Sequence, residues 1–259
     1  MRGPHNLWRL IRTGATFERT GAMSIILDKL DLPPMVKLTA RILGWPFKIL
    51  GLKGDLQFPP IVRALTALGP AYIKFGQILS TRPDLVGHAL AKQLQVLQES
   101  LPPFSLKLAL QEIEADLGQP PSELFDDISE PIAAASIAQV HQARLKSSGQ
   151  KVAIKVLRPG IEKAFRKDID AFYLAANIIE ILSPKSRRLR PLEVIKHFDS
   201  IVRGELDLRL EASAASEFAA NTSEDKLLSV PKIHWKVSGR KVMTLDWVDG
   251  TPLADIEAL

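Results

Sequence analysis

The chain has 259 residues, 46% apolar and 24% charged, which is ample material for one large domain or two small ones. It contains no cysteine, so disulfides, zinc–cysteine sites and thiol catalysis are excluded. The net charge is +5 and resides in residues 1–60, where nine Lys/Arg stand against four acids. These basic residues show no regular aromatic interleaving and the remainder is balanced, so nucleic acid is not an expected partner.

Trp8, Trp45 and Phe47 add apolar bulk to this basic leader. Two readings stand side by side: a segment lying on an anionic membrane surface, and a solvated helical leader. Arg9, Arg12, Glu18 and Arg19 interrupt residues 1–20, so no signal peptide is expected. No uncharged apolar run approaches the roughly 18–20 residues that span a bilayer. The chain is therefore expected to touch a membrane at most, not to cross it.

Residues 61–98 carry apolar side chains at helical spacing: Ile61, Leu65, Leu68, Tyr72, Ile73 and Leu79. Gly69-Pro70 is expected to kink or restart that helix, and Pro83 to open a second one through Leu97. Lys74, Gln77 and Ser80 fall on one side of the helix, which a core helix does not require. Leu101-Pro102-Pro103 ends the second helix. Ser105 is an N-cap candidate for Leu106–Leu117, closed by Gly118. Then the texture changes. Ile137–Leu145 and Val152–Leu157 are short, partly alternating runs either side of a Ser-Ser-Gly turn, a hairpin signal. A helix is expected near Ile161–Leu182, a basic loop over 184–191, and a long helix over Leu192–Ala219. Residues 230–250 predict a further strand pair around Ser238-Gly239. The order is an all-helical block, three strands, long helices and two more strands.

The stretch PIAAASIAQVHQARLKSSGQKVAIKV (131–156) reads as strand, small-residue loop, strand, turn and a strand ending in V-A-I-K. That is the layout of a kinase nucleotide-binding lobe, in which a strand lysine neutralises phosphates. Lys155 alone is weak evidence. Ala133-Ala134-Ala135-Ser136, where glycines would be usual, counts against a phosphate cradle, because alanine restricts backbone freedom and close approach. Glu205, Asp207 and Glu211 supply acids on the expected helix. There Asp207 and Glu211 share a face and Glu205 and Asp207 do not. A carboxylate on such a helix can pin Lys155.

Four spaced features together resemble the UbiB protein-kinase-like family, bacterial members of which act in ubiquinone biosynthesis. They are Lys74-Phe75-Gly76-Gln77 (KxGQ), the alanine loop Ala133–Ser136, the VAIKV strand Val152–Val156, and Glu205-Leu206-Asp207 (ExD). LSTRPDL and HQARL also look like the family, and the resemblance covers roughly residues 60–259. It implies an α+β fold: an N-terminal helical extension packed on a protein-kinase-like N-lobe of antiparallel sheet plus helices, with the C-lobe absent. The expected domains are a basic leader (1–60), a KxGQ helical extension (61–120) and the N-lobe up to the hinge (121–259).

By the resemblance, the KxGQ helix covers the kinase-like cleft, and Lys74 and Gln77 contact the ExD acids or the phosphates. Lys74 is expected to pair with Glu205 or Asp207. Lys155 binds phosphate and Glu211 is its acid partner. Ala133, Ala134, Ala135 and Ser136 cradle the phosphates, Asp246, Trp247 and Val248 form the hinge that receives adenine, and Gly250 begins the link to a second lobe. ATP and Mg²⁺ are the implied cofactors, with metal ligands expected in that second lobe and none in this chain.

No H-x-D-x-x-x-x-N or D-F-G pattern occurs, so the chain reads as the N-terminal half of a longer protein. An apolar inter-lobe face is expected to self-associate, giving a homodimer. The implied function is an ATP-dependent kinase or ATPase supporting ubiquinone synthesis and aiding polyprenylphenol hydroxylation. Its implied partners are polyprenyl quinone precursors or ubiquinone-pathway proteins, at the cytoplasmic face of the bacterial inner membrane. The alternatives are a non-catalytic lipid- or partner-binding module and a plain helical scaffold.

Overall fold

The computed structural model describes residues 4–29, 34–35, 38–39, 42, 45–98, 102–182 and 185–251. Of the residues named above, Leu101 and Pro184 lie outside these. Two discontinuous compact units emerge: residues 1–100 with 160–202, and residues 101–159 with 203–259.

The first unit is helical among the described residues. Its elements are α1 (Pro4–Thr20), α2 (Ala22–Lys29), a 3₁₀ turn (Trp45–Leu50), α3 (Pro60–Leu68), α4 (Pro70–Ser80), α5 (Pro83–Val86), α6 (His88–Leu94) and a 3₁₀ turn (Gln95–Gln98). After the excursion into the second unit come α9 (Ile161–Leu182), a 3₁₀ turn (Lys185–Leu189) and α10 (Pro191–Glu205), whose last turn leaves this unit. Prolines open α3, α4 and α5, where a missing amide costs no intrahelical bond. The expected restart at Gly69-Pro70 is present.

The expected single helix from Pro83 to Leu97 is broken. Gly87 has φ +83°, a left-handed conformation that ends α5 and starts α6, and the last turn tightens to 3₁₀. Tyr72, Phe75, Phe172 and Phe198 form an aromatic cluster with centroids 4.7–5.7 Å apart. Arg9 of α1 pairs with Asp168 of α9, which is 6% exposed. Burial raises the Asp168 carboxyl above its ordinary value against the opposing pull of Arg9. Burial also pushes the Tyr72 phenol up to about 12, and its hydroxyl lies 2.6 Å from that of Thr13.

The second unit holds α7 (Leu106–Leu117), α8 (Pro121–Leu124), α11 (Leu208–Asn221), a 3₁₀ turn (Trp235–Val237) and five antiparallel strands. The strands are β1 (Phe125–Asp126), β2 (Ala133–Ala134), β3 (Ala138–Leu145), β4 (Lys151–Leu157) and β5 (Val242–Asp246), ordered β1-β3-β4-β5 with β2 on β3. Alternation puts Ala143, Val152, Ile154, Val156 and Val242 on one face, packed with Ile113 of α7 and Phe125 in a buried core. Asp116 ties α7 to the sheet: its Oδ2 accepts from the amides of Lys241 (2.7 Å) and Val242 (3.0 Å). This is a kinase-like N-lobe with its helical elements, the fold class the sequence implied.

Two further expectations fail. The helix over Leu192–Ala219 is two helices, broken at Leu206-Asp207. Leu206 is buried, and Asp207 caps α11 by accepting from the Arg209 amide at 3.2 Å. The strand pair over 230–250 is a single strand, β5, with an isolated bridge Ile233↔Leu245. The segment before it curls into the 3₁₀ turn instead, where the Ser238 hydroxyl and the Thr244 hydroxyl bond local carbonyls.

Candidate functional site

Lys155 is set by strand parity. Its neighbours Ile154 and Val156 point into the core, so Lys155 stands on the opposite face with Ala153 and Lys151. Register extends that face to Val140 and Gln142 on β3 and to Met243 and Leu245 on β5. An apolar strip of Val140, Ala153 and Leu245 thus runs beside Lys155.

Glu211 meets it from α11. Lys155 Nζ donates to both carboxylate oxygens of Glu211, at 2.6 and 2.7 Å. Helix α11 is held there by buried Leu208 and Ala212, and by the Leu208 amide donating to the Arg240 carbonyl at 2.8 Å. Glu211 lies in the first turn, where the helix dipole favours a carboxylate. The pair is only partly exposed at Lys155 (25%) and half exposed at Glu211 (49%). A lysine so held presents a fixed positive charge beside an apolar strip, which suits a flat ring carrying an anionic tail.

The other sequence-derived candidates divide. Ala133 and Ala134 form β2, paired with Val140 and Gln139, and the Ala135 amide donates to the Ala138 carbonyl at 2.8 Å. The alanine loop is therefore a short strand and a tight turn. Ser136 beneath it is 4% exposed. Arg158, missed in the sequence, clamps the turn by donating to the Ala135 and Pro102 carbonyls. Asp207 bonds Arg209 at 2.7 and 2.9 Å, which holds its carboxyl below the ordinary range. Because it is a cap, Asp207 does not share a helix face with Glu211, contrary to the single-helix reading. Glu205 ends α10 and is half-buried.

Asp246 ends β5 and accepts from His234 and Gln150, both at 2.7 Å. The Trp247 amide donates to the Lys151 carbonyl at 3.3 Å, and the Lys151 ammonium lies 4.4 Å from the Trp247 ring centroid. Val248 follows, 61% exposed. In the helical unit, Lys74 is half-buried, and Gln77 Nε2 donates to the Leu97 carbonyl at 2.7 Å. A Cβ on Gly76 would collide with methyl groups of Leu97 and Leu65, which explains the glycine in that stretch by packing. Among the described residues no three His, Asp or Glu side chains gather to hold a metal ion.

A second missed group is Gln139–His141, on the core face of β3. Gln139 Oε1 accepts from the Phe104 amide (3.0 Å) and its Nε2 donates to the Phe104 carbonyl (3.1 Å). His141 Nδ1 lies 2.8 Å from the Ser129 carbonyl and Nε2 lies 2.9 Å from Gln139 Nε2. The pattern assigns a neutral ring that donates through Nδ1 and accepts through Nε2. Polar residues at core positions of an alternating strand were the available signal.

Burial lowers the His141 pKa below its ordinary value of about 6.5. The unfolded chain then binds the proton more readily than the folded one. Stability from this site is complete above about pH 6.5 and is lost as pH falls towards the depressed folded value. Urea unfolding midpoints are expected to fall from about pH 7 to pH 5, and His141→Gln is expected to flatten that slope. An unchanged slope in the variant would rule out His141 as its source.

The comparisons agree with this geometry. The family model "ABC1 atypical kinase-like domain" matches residues 96–259. A protein of Marinobacter nauticus named "Probable protein kinase UbiB" is 46% identical over 257 residues, covering 98% of this chain and 46% of that protein. A protein of the same name from Pseudomonas aeruginosa is 39% identical over 255 residues, 97% of this chain and 47% of its own length. One from Shewanella frigidimarina is 44% identical over 197 residues, 76% and 36% of the two chains. The chain spans about half the length, or less, of the curated relatives it matches. With a matched model over most of its length and a kinase-like N-lobe carrying a paired strand lysine, the chain belongs to the ABC1 atypical kinase-like family, in its UbiB branch.

Proposed function

We propose that this chain supplies the nucleotide-gripping lobe of a UbiB-type, ATP-dependent kinase or ATPase that supports ubiquinone biosynthesis. The observation that carries the reading is the two-point bond between Lys155 and Glu211 beside the strip of Val140, Ala153 and Leu245. In this reading Lys155 neutralises the phosphates, Glu211 aims it, and the backbone of Asp246–Val248 receives the adenine edge. The turn Ala133–Ser136 lies over the phosphates. The donor set fits a nucleotide polyphosphate. It does not by itself fit Mg²⁺, because no ligand cluster forms among the described residues.

Lys74, Gln77, Glu205 and Asp207 are assigned to the same activity on the family resemblance, as is the helping role in polyprenylphenol hydroxylation. Lys74→Ala and Asp207→Ala in the full-length protein are expected to lower ATP turnover, and unchanged turnover would remove them from the site. The lobe itself is tested by calorimetric titration of this chain with ATP, ADP and adenosine. ATP is expected to bind saturably and at least about tenfold more tightly than adenosine, since charged hydrogen bonds contribute about 1.5–3 kcal/mol each. Equal binding of adenosine would refute a phosphate role for Lys155.

A specific observation also favours contact of the basic leader with an anionic membrane, at the cytoplasmic face of the inner membrane. Trp8 (54%), Ile49 (82%) and Leu56 (80%) are exposed in the segment that carries the excess positive charge. No described helix is long and apolar enough to cross a membrane. The chain is expected to cofloat with phosphatidylglycerol vesicles and not with phosphatidylcholine vesicles. Equal recovery with both would exclude the electrostatic contact.

A further inference from the structure

A cavity of about 300 Å³ lies within the helical unit. Its walls are Phe75, Ile78 and Leu79 of α4 and Val194 and Phe198 of α10. Leu85 and Leu189 add to these apolar walls, and Arg82, Arg190, Glu193 and His197 supply the polar part of the lining. The volume stands at the small end of ligand pockets. Given a water-sized share of about 30 Å³ per heavy atom, it holds a ligand of about ten such atoms.

The charged groups are not equivalent. Arg82 already holds Asp84 through three hydrogen bonds, and Glu193 is bonded to Lys196 at 2.7 Å. Among the described residues no salt bridge holds Arg190, and Glu193, already bonded to Lys196, acts on it only through space. The Arg190 backbone is also unusual. Only Asp127 and Arg190 among the described non-glycine residues have positive φ, and Arg190 stands at +47°. Aspartate tolerates that region well. For arginine it is a strained choice where glycine or asparagine would cost less. The sequence therefore keeps a guanidinium at this cavity against a backbone cost. Arg190 is followed directly by the first turn of α10, whose amides add partial positive charge.

We propose that this cavity is a binding site for an amphipathic monocarboxylate, with its alkyl chain between α4 and α10 and its carboxylate on Arg190. A planar guanidinium matches a carboxylate bidentately. The lining carries Arg82 and Arg190 against Glu193, a net charge of one, which suits a monoanion better than a phosphate dianion. The site is independent of the nucleotide reading.

The test is calorimetric titration of the whole chain with decanoate and with decanol. Decanoate is expected to bind saturably and more tightly than decanol. Arg190→Gly is expected to weaken decanoate by about tenfold or more, the loss of one charge-assisted contact, while leaving decanol binding unchanged. The same variant is expected to melt at an equal or higher temperature, because glycine relieves the positive φ. A residue kept only for structure would not give that opposite pair of effects. Val194→Trp, which fills the cavity, is expected to remove binding of both ligands. The proposal is overturned by absence of saturable decanoate binding, by decanol binding as tightly as decanoate, or by unchanged decanoate affinity in Arg190→Gly.

Discussion

Lys155→Met is expected to weaken ATP binding by about tenfold or more while leaving the fold intact. Two magnitudes decide this. The Lys155–Glu211 pair is 25% and 49% exposed, and a pair so open to solvent contributes at most about 1 kcal/mol to stability. Methionine keeps the packing of the lysine stem against β3 and β5. In the proposed nucleotide role, however, the ammonium would donate one or more charged hydrogen bonds to the triphosphate at about 1.5–3 kcal/mol each, which is about 10- to 100-fold in affinity. Isothermal titration for affinity and thermal melting for stability separate the two effects. Glu211→Gln keeps the shape but removes the charge that aims Lys155, so a smaller loss of affinity is expected. An affinity for ATP unchanged in Lys155→Met would dissociate the lysine from the nucleotide.

Phe198→Ala carries the largest expected cost in stability, about 3–5 kcal/mol, as for other buried aromatic truncations. Phe198 is 2% exposed, meets Phe75 edge-on at 5.2 Å and lies 5.7 Å from Phe172. Alanine removes both ring contacts and enlarges the adjacent cavity, and helices α4, α9 and α10 cannot close the gap without moving their other contacts. Urea unfolding is the direct check. Phe198→Leu is expected to recover much of the loss, because it refills most of the volume. A loss below about 1 kcal/mol in Phe198→Ala would show that the cluster does not hold the helical unit together.

The alternation in 137–157 was legible because strand parity is local: Val152, Ile154 and Val156 had to face one way and Lys155 the other. The hairpin, the helix Ile161–Leu182 and the proline-led helices followed from equally local signals. The break at Leu206-Asp207 was not legible. Leu208–Asn221 has good helical composition, and only the tertiary placement of Leu206 and Leu208 in the core makes Asp207 a cap instead of an interior residue. That error also misplaced the acids, since Asp207 and Glu211 share a face only in a continuous helix. The pairing of Lys155 with Glu211 was readable from the family resemblance, and not from spacing, because 56 residues separate them. Gln139, His141 and Arg158 were missed for the opposite reason. Apart from the Gln139–His141 contact, their partners are backbone groups of Phe104, Ser129, Ala135 and Pro102, which leave no signature in composition, so the one signal was polarity at core positions of β3.

The proposed place of Lys155 at the phosphates of a bound nucleotide can be probed with an acyl-phosphate derivative of ATP: a lysine amine beside the phosphates attacks the acyl carbon, forming an amide and releasing ATP. Peptide mapping after brief exposure is predicted to find Lys155 acylated well above Lys151, with labelling suppressed by excess ATP. Labelling of Lys155 no greater than that of surface lysines, or labelling that ATP does not suppress, would remove Lys155 from the phosphates.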